Sequence, residues 1–262
     1  MAAPAFGAAS GGQVIATGGA IVDVAGGSLG DLVLLHIMQD GTGAGPTLSA
    51  GAAGDELENL AGTDATLTVV GGGALPVGSP TVANQYIWVG RKATSSGFGN
   101  ITVTTSGDDL YVNLYRFTGV NAGTTLSDVI ENSTAGTAVN EVGNTAAVTD
   151  TGVTTLGVDR LALNLVGVND DNALAAFTGM TGGTWAESAD FASATGTDGA
   201  VQLQTATIAS AGTINGGSQT MALADPWGVV GFALIPVGAA TPKSLIYQPG
   251  LQVAIPRSLY VR

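Results

Sequence analysis

The chain of 262 residues contains no cysteine, one histidine, and charged residues at only 10% of positions. The missing thiols rule out disulfide frameworks, thiolate metal sites and cysteine nucleophiles. A lone histidine, His36, leaves no second imidazole to share a metal. No run of 18 apolar residues is present, so no segment reads as a membrane-spanning helix. The first ten residues, Met-Ala-Ala-Pro-Ala-Phe-Gly-Ala-Ala-Ser, lack the cationic start and apolar core of a signal peptide. The expectation is therefore a protein made and kept in a cytosol, or released when a cell lyses. Aromatics are scarce too, at 5%.

What fills the chain instead is glycine, 41 residues of it, with much Ala, Thr, Val and Ser. Low charge combined with 45% hydrophobic content is the opposite of a disordered composition. At this length, folding can bury roughly 70–75% of the extended chain's surface, so no covalent staple is needed. So many glycines in a folded chain mean many turns.

Charge is unevenly placed. All 20 acidic residues lie at or before Asp225 with only four bases (Arg91, Lys92, Arg116, Arg160), a net of −16. The last 20 residues hold Lys243, Arg257 and Arg262 and no acid. Such an acidic body is repelled by nucleic acid and by anionic membranes, so neither is expected as a partner. The basic tail is suited to an acidic surface, a neighbouring copy of the same body included.

Residues 1–12 are small and read as a flexible arm. Leu110–Val120 alternates Leu110, Val112, Leu114 and Arg116 against Tyr111, Asn113, Tyr115 and Phe117, which marks a strand central to a sheet. Asp31–Gln39 and Trp227–Val237 read as buried strands, and Arg160–Val168 as a strong alternating one. Further strands are expected at Gln13–Val24, Ala65–Val70, Ala83–Ala93, Asn100–Thr105, Leu126–Asn132, Ala146–Thr151, Thr184–Phe191, Ala200–Ile208 and Ser218–Ala224. A single helical turn is expected at Asp55–Ala61. Strands at this spacing without a convincing long helix predict an all-β, two-sheet antiparallel sandwich over 13–238, of jelly-roll type.

From 239 to 262 the composition shifts. Three prolines accompany an apolar residue at nearly every second place, and Gln248-Pro249-Gly250-Leu251 carries a type II turn signal. This reads as an extended arm, too apolar for water and too short for its own core. Lys243, Leu245, Tyr247, Leu251, Val253, Ile255, Arg257, Tyr260 and Arg262 are its candidate partner-binding residues.

Each chemical constellation competes with a plainer reading. Gly41-Thr-Gly-Ala-Gly45 follows an apolar strand as a phosphate loop would, yet Pro46 replaces the helix that mechanism requires. His36 sits inside a buried strand and reads as a core or interface histidine. Asp55-Glu56, Asp108-Asp109 and Asp170-Asp171 read as turn acids without the spaced ligands of a calcium loop. Two sequons, at Asn100 and Asn132, read as chance. Trp88 and Trp227 are explained by strands, whereas Trp185, close to Gly182-Gly183, is the candidate exposed platform for a glycan.

Several segments in order resemble jelly-roll domains in virion proteins of tailed bacteriophages. Gly30-Asp-Leu-Val-Leu-Leu-His-Ile-Met-Gln-Asp-Gly41 is similar to their "GDLLLAFV…DG" opening. Tyr86-Ile-Trp-Val-Gly-Arg-Lys-Ala93, Val112–Val120, Arg160–Val168 and Gly231–Ile235 match later strands of the same plan, covering about residues 10–237. The "aGWt" piece of those domains is replaced here by Ala65-Thr-Leu-Thr. The resemblance implies a non-enzymatic virion protein without cofactors, assembled in a bacterial cytoplasm. Its expected role is a capsid decoration or cement protein that forms a homotrimer and binds the major capsid protein through the sandwich face and the arm. The alternative it implies is a tail or fibre appendage that binds host glycan through long loops.

Overall fold

The computed structural model describes residues 2–41, 43–50, 57–60, 67–74, 83–92, 98–105, 107–150, 152–169, 174–195 and 198–239. In chain order the first half forms β1 (Ala5–Ala9), β2 (Gln13–Ile15), β3 (Gly19–Ala25), β4 (Leu32–Asp40) and β5 (Thr47–Ala50). These are followed by β6 (Leu57–Glu58), β7 (Thr68–Ala74), β8 (Ala83–Lys92), β9 (Phe98–Thr104) and β10 (Asp109–Thr118). A single helical turn, α1 (Leu126–Val129), leads into β11 (Ile130–Asn132), β12 (Thr134–Ala135), β13 (Val139–Asp150) and β14 (Val153–Thr155). The remaining strands are β15 (Arg160–Val168), β16 (Thr184–Ser193), β17 (Gly199–Ile208), β18 (Gly212–Ile214) and β19 (Gly217–Leu234).

The fold is an all-β antiparallel sandwich. One seven-stranded sheet runs β1-β10-β4-β8-β6, with β2 also on β10 and β7 on β8. The other runs β12-β11-β19-β15-β17-β16, with β13 on β19. Between them lies the main core, where Leu32, Leu34, Tyr115 and Phe117 meet Leu163, Leu165, Leu203, Val230 and Phe232.

Each large sheet is covered on its outer face as well. The three-stranded sheet β3-β9-β5 closes a second core on the first, built from Val22, Val24, Leu35, Ile37, Ile101, Val103, Val112 and Leu114. A two-stranded flap, β14-β18, packs Val153 and Ile214 over Ala162, Ala206, Ile208 and Ala233 of the second. This double cover explains why β4 and β15 are buried at every position: strands covered on both faces carry continuous apolar runs. In β10 the two phases diverge as their alternation requires. Leu110, Val112 and Leu114 enter the outer core, while Tyr115 and Phe117 enter the main one.

The alternation of successive strands between sheets, expected of a jelly roll, runs from β2 to β6 between the first large sheet and the three-stranded one. The two large sheets take their strands from separate halves of the chain. Residues 1–12, expected as a flexible arm, include β1, which pairs Ala5 with Thr118 and Ala9 with Tyr115. Phe6 explains the attachment, since its ring meets Phe117 edge-on at 5.9 Å.

Some expected elements are differently cut. Gln13–Val24 is broken at Gly18, whose φ of 68° turns the chain from one sheet into another. Leu126–Asn132 begins as a helical turn, because Asp128 Oδ2 accepts from the Thr125 backbone N–H at 3.1 Å and its hydroxyl at 2.7 Å. Ser218–Ala224 and Trp227–Leu234 belong to one strand, β19, which stops three residues short of the expected end at Val237. Of the helical turn expected at Asp55–Ala61, Leu57 and Glu58 are instead strand, paired with Lys92 and Arg91. No helix of the described residues is long and apolar enough to cross a membrane.

Candidate functional site

Trp185 sits in the edge strand β16, opposite Ala206 of β17. Its partly buried ring packs on the cluster that includes Ala206 and Ile208, on the outer face of the second sheet. Residues 174–183 run back over that same face. Leu174 and Phe177 pack on Ala200, Val166 and Val168, while backbone bridges tie Thr178 to Ser218 and Thr181 to Asn215. Between this segment and β16 lies a cleft of about 360 Å³ lined by Phe177, Met180, Gly183, Trp185, Glu187 and Gln204, among others. Gly183 allows the close wall: a Cβ there would fall 2.8 Å from Ile208 Cδ1.

A side-chain relay supports the cleft floor. Gln204 Nε2 donates to Gln202 Oε1 at 3.1 Å, and Gln202 Nε2 donates to Glu187 Oε2 at 3.1 Å and to the Leu174 carbonyl at 3.0 Å. Gln202 is fully buried, so its amide is fixed and fixes Glu187 in turn. Burial, then Asp190, pushes the Glu187 carboxyl above its ordinary pKa. The arrangement sets a partly exposed indole, a thioether and a carboxylate along one opening.

The other residues singled out from sequence lie apart from this cleft. His36 is fully buried between the large sheets, 3.1 Å from Gln85 Nε2, and burial pushes its pKa down to about 3, so it stays neutral. In the Gly41–Gly45 loop the Gly43 N–H donates to Asp108 Oδ2 at 2.6 Å. A carboxylate of the chain therefore occupies the place an anion would take. Asp40, 3% exposed at the edge of the sandwich, has its carboxyl raised to about 6 by burial and then by Asp198, Asp109 and Asp108. Among the described residues no group of three or more histidines and acids is placed to hold a metal. Asp55, Glu56, Asp170, Asp171 and the candidate arm residues from Lys243 to Arg262 lie outside the described residues.

The sequence marks Trp185 as an exposed platform; its ring is instead partly buried against Ala206 and Ile208. Gln202 and Gln204 form the polar phase of the expected strand Ala200–Ile208. That phase is buried because residues 174–183 cover it, a tertiary fact with no local signal. Comparison with protein-family models, with curated proteins and with solved structures finds no match in any of the three.

Proposed function

We propose that the chain is a non-enzymatic structural protein of a tailed-phage particle. In this reading it is a capsid decoration or cement protein of jelly-roll kinship that self-associates, as a homotrimer, and grips the particle through its C-terminal segment. The observation that carries the reading is the segregation of charge. An acidic body at −16 is continuous with a terminal stretch whose last 20 residues hold three bases and no acid, in an alternating apolar frame. Opposite charges on one chain make the surface of one copy complementary to the tail of the next, which favours encounter between copies. The resemblance of the strand segments to phage virion proteins supports the same reading.

The test is truncation after Ala239, followed by mixing with particles that lack the protein. The shortened chain should keep its far-ultraviolet β spectrum and a cooperative melt, yet sediment free of the particle and as a smaller oligomer. Incorporation at the level of the full chain would overturn the proposal.

A further inference from the structure

We infer that the cleft between residues 174–183 and β16 is a saccharide-binding site selective for neutral oligosaccharides. This inference is independent of the assembly role. Three features point to that ligand class. First, the opening presents the partly exposed Trp185 and Met180 over the buried Phe177, an aromatic edge of the kind that stacks on the C–H face of a sugar ring. Second, Glu187 is an exposed hydroxyl acceptor restrained at one oxygen. Its Oε2 is held by Gln202, a side chain with no exposed surface that is itself anchored on the Leu174 carbonyl. That bond lowers the rotamer freedom Glu187 has to lose on accepting from a ligand hydroxyl. Third, Gln204 lines the cleft with almost no exposed surface and gives one of its two Nε2 N–H groups to Gln202, which steadies the relay beneath Glu187.

Charge narrows the class. Glu187 and Asp190 lie within interaction range of one another, and the body around them is strongly acidic. A uronic or sialic acid would place a third carboxylate beside these two, which costs affinity. A neutral glycan pays no such cost. The volume of about 360 Å³ holds roughly one or two sugar rings, so longer chains must pass along the open end of β16.

Saturation-transfer NMR and isothermal titration of the full chain against malto-, cello- and chito-oligosaccharides, with a hyaluronan fragment as the acidic control, test this. At least one neutral series should bind, and Trp185→Ala should weaken it tenfold or more. Glu187→Gln keeps the Gln202 contact through its amide oxygen, and should weaken binding about fivefold at an unchanged melting temperature. Because Glu187→Gln is the gentler change, it decides the matter if Trp185→Ala fails to fold. Three results would overturn the inference: no neutral series binds, neither substitution moves the affinity, or the hyaluronan fragment binds as well as the neutral sugars. A synthetic peptide of residues 240–262 that blocks the cleft would also overturn it, by assigning the cleft to the chain's own terminus. Particle incorporation by Glu187→Gln should be normal, which separates failure here from failure of the assembly proposal.

Discussion

Glu131 of β11 and Arg160 of β15 form an ion pair with almost no exposure, Arg160 Nε donating to Glu131 Oε1 at 2.8 Å with side-chain exposures of 4% and 0%. Arg160 Nη2 reaches Oε2 at 3.3 Å, its Nη1 donates to the Val158 carbonyl, and the Leu156 N–H donates to Oε1 at 2.8 Å. The pair therefore fastens the loop before β15 to the edge of the second sheet. Removing one partner leaves a buried charge alone, and such changes cost about 3–5 kcal/mol. Glu131→Ala should lower the urea midpoint accordingly, whereas the double change Glu131→Leu with Arg160→Met should recover most of the loss. A double variant no better than the single one would show that the contacts to Leu156 and Val158, not the buried charge, hold the loop.

Two buried carboxyls make stability depend on pH. Asp40 and Asp150 are each raised to about 6, burial being the largest cause in both. A folded-state pKa above the unfolded value means the native state holds its proton more tightly. The contribution of the two carboxyls to stability therefore falls as pH rises from about 4 to about 6 and levels off above that. His36, kept neutral by burial, contributes in the opposite sense, and its contribution is lost as pH falls below about 6.5. For Asp150 the penalty at neutral pH is on the order of 2–3 kcal/mol. Repulsion within the acidic body acts in the same direction. The effect is isolated by substitution: Asp40→Asn should raise the melting temperature more at pH 8 than at pH 5. An equal gain at both pH values, or none, would contradict this.

The strands most legible in sequence were those with two covered faces. β4 is a mostly apolar run and β15 a strong alternating one, both bounded by turn residues, and β15 has the boundaries its composition suggests. The expected strands Ser218–Ala224 and Trp227–Val237 lie on either side of Pro226, within the span of β19. The structure explains why the strand continues. The Pro226 carbonyl accepts from the Asn169 N–H at 3.0 Å, just past the last pairing of β15 at Val168 with Trp227. Pro226 stays opposite Asn144 of β13 on one side, and on the other it lies just beyond the end of β15, where a missing N–H is tolerated. The small covering sheets were not legible, since which face of a strand is covered, and by what, depends on contacts made far along the chain. The cleft followed the same rule: its tryptophan stood out beside two glycines, but the relay beneath it did not.

Gly152 is a point where both backbone and space demand glycine. Its φ is +100°, and a Cβ would come within 1.8 Å of the Ile214 carbonyl oxygen, across the β14–β18 flap. Neither the dihedral nor the backbone contact can relax without opening the flap over Ala162 and Ile208. Gly152→Ala should cost roughly 2 kcal/mol or more, since it combines strain with displaced packing. Hydrogen exchange should speed up at Val153 and Ile214 and leave β4 unchanged. Equal protection of the flap in the variant would show that it is not seated as described.

The outer core offers the sharpest contrast between two single substitutions. Leu114 is fully buried between β10 and the three-stranded sheet, among Val112, Leu35 and Val103. An aspartate there would be an unpaired carboxylate in an apolar layer, at a cost of several kcal/mol, a large share of a total stability of roughly 5–15 kcal/mol. Ile21, by comparison, lies in β3 of the same two-sheet unit but points outward and is 49% exposed. Its neighbour Val22 is the one that faces the core. Leu114→Asp should abolish soluble expression, whereas Ile21→Asp should change stability by about 0.5 kcal/mol or less. The pair is informative because chemistry is nearly constant and only the face differs. If Ile21→Asp were as damaging as Leu114→Asp, the outer face of β3 would have to be covered, and the three-stranded sheet would be an interior layer rather than the outer one.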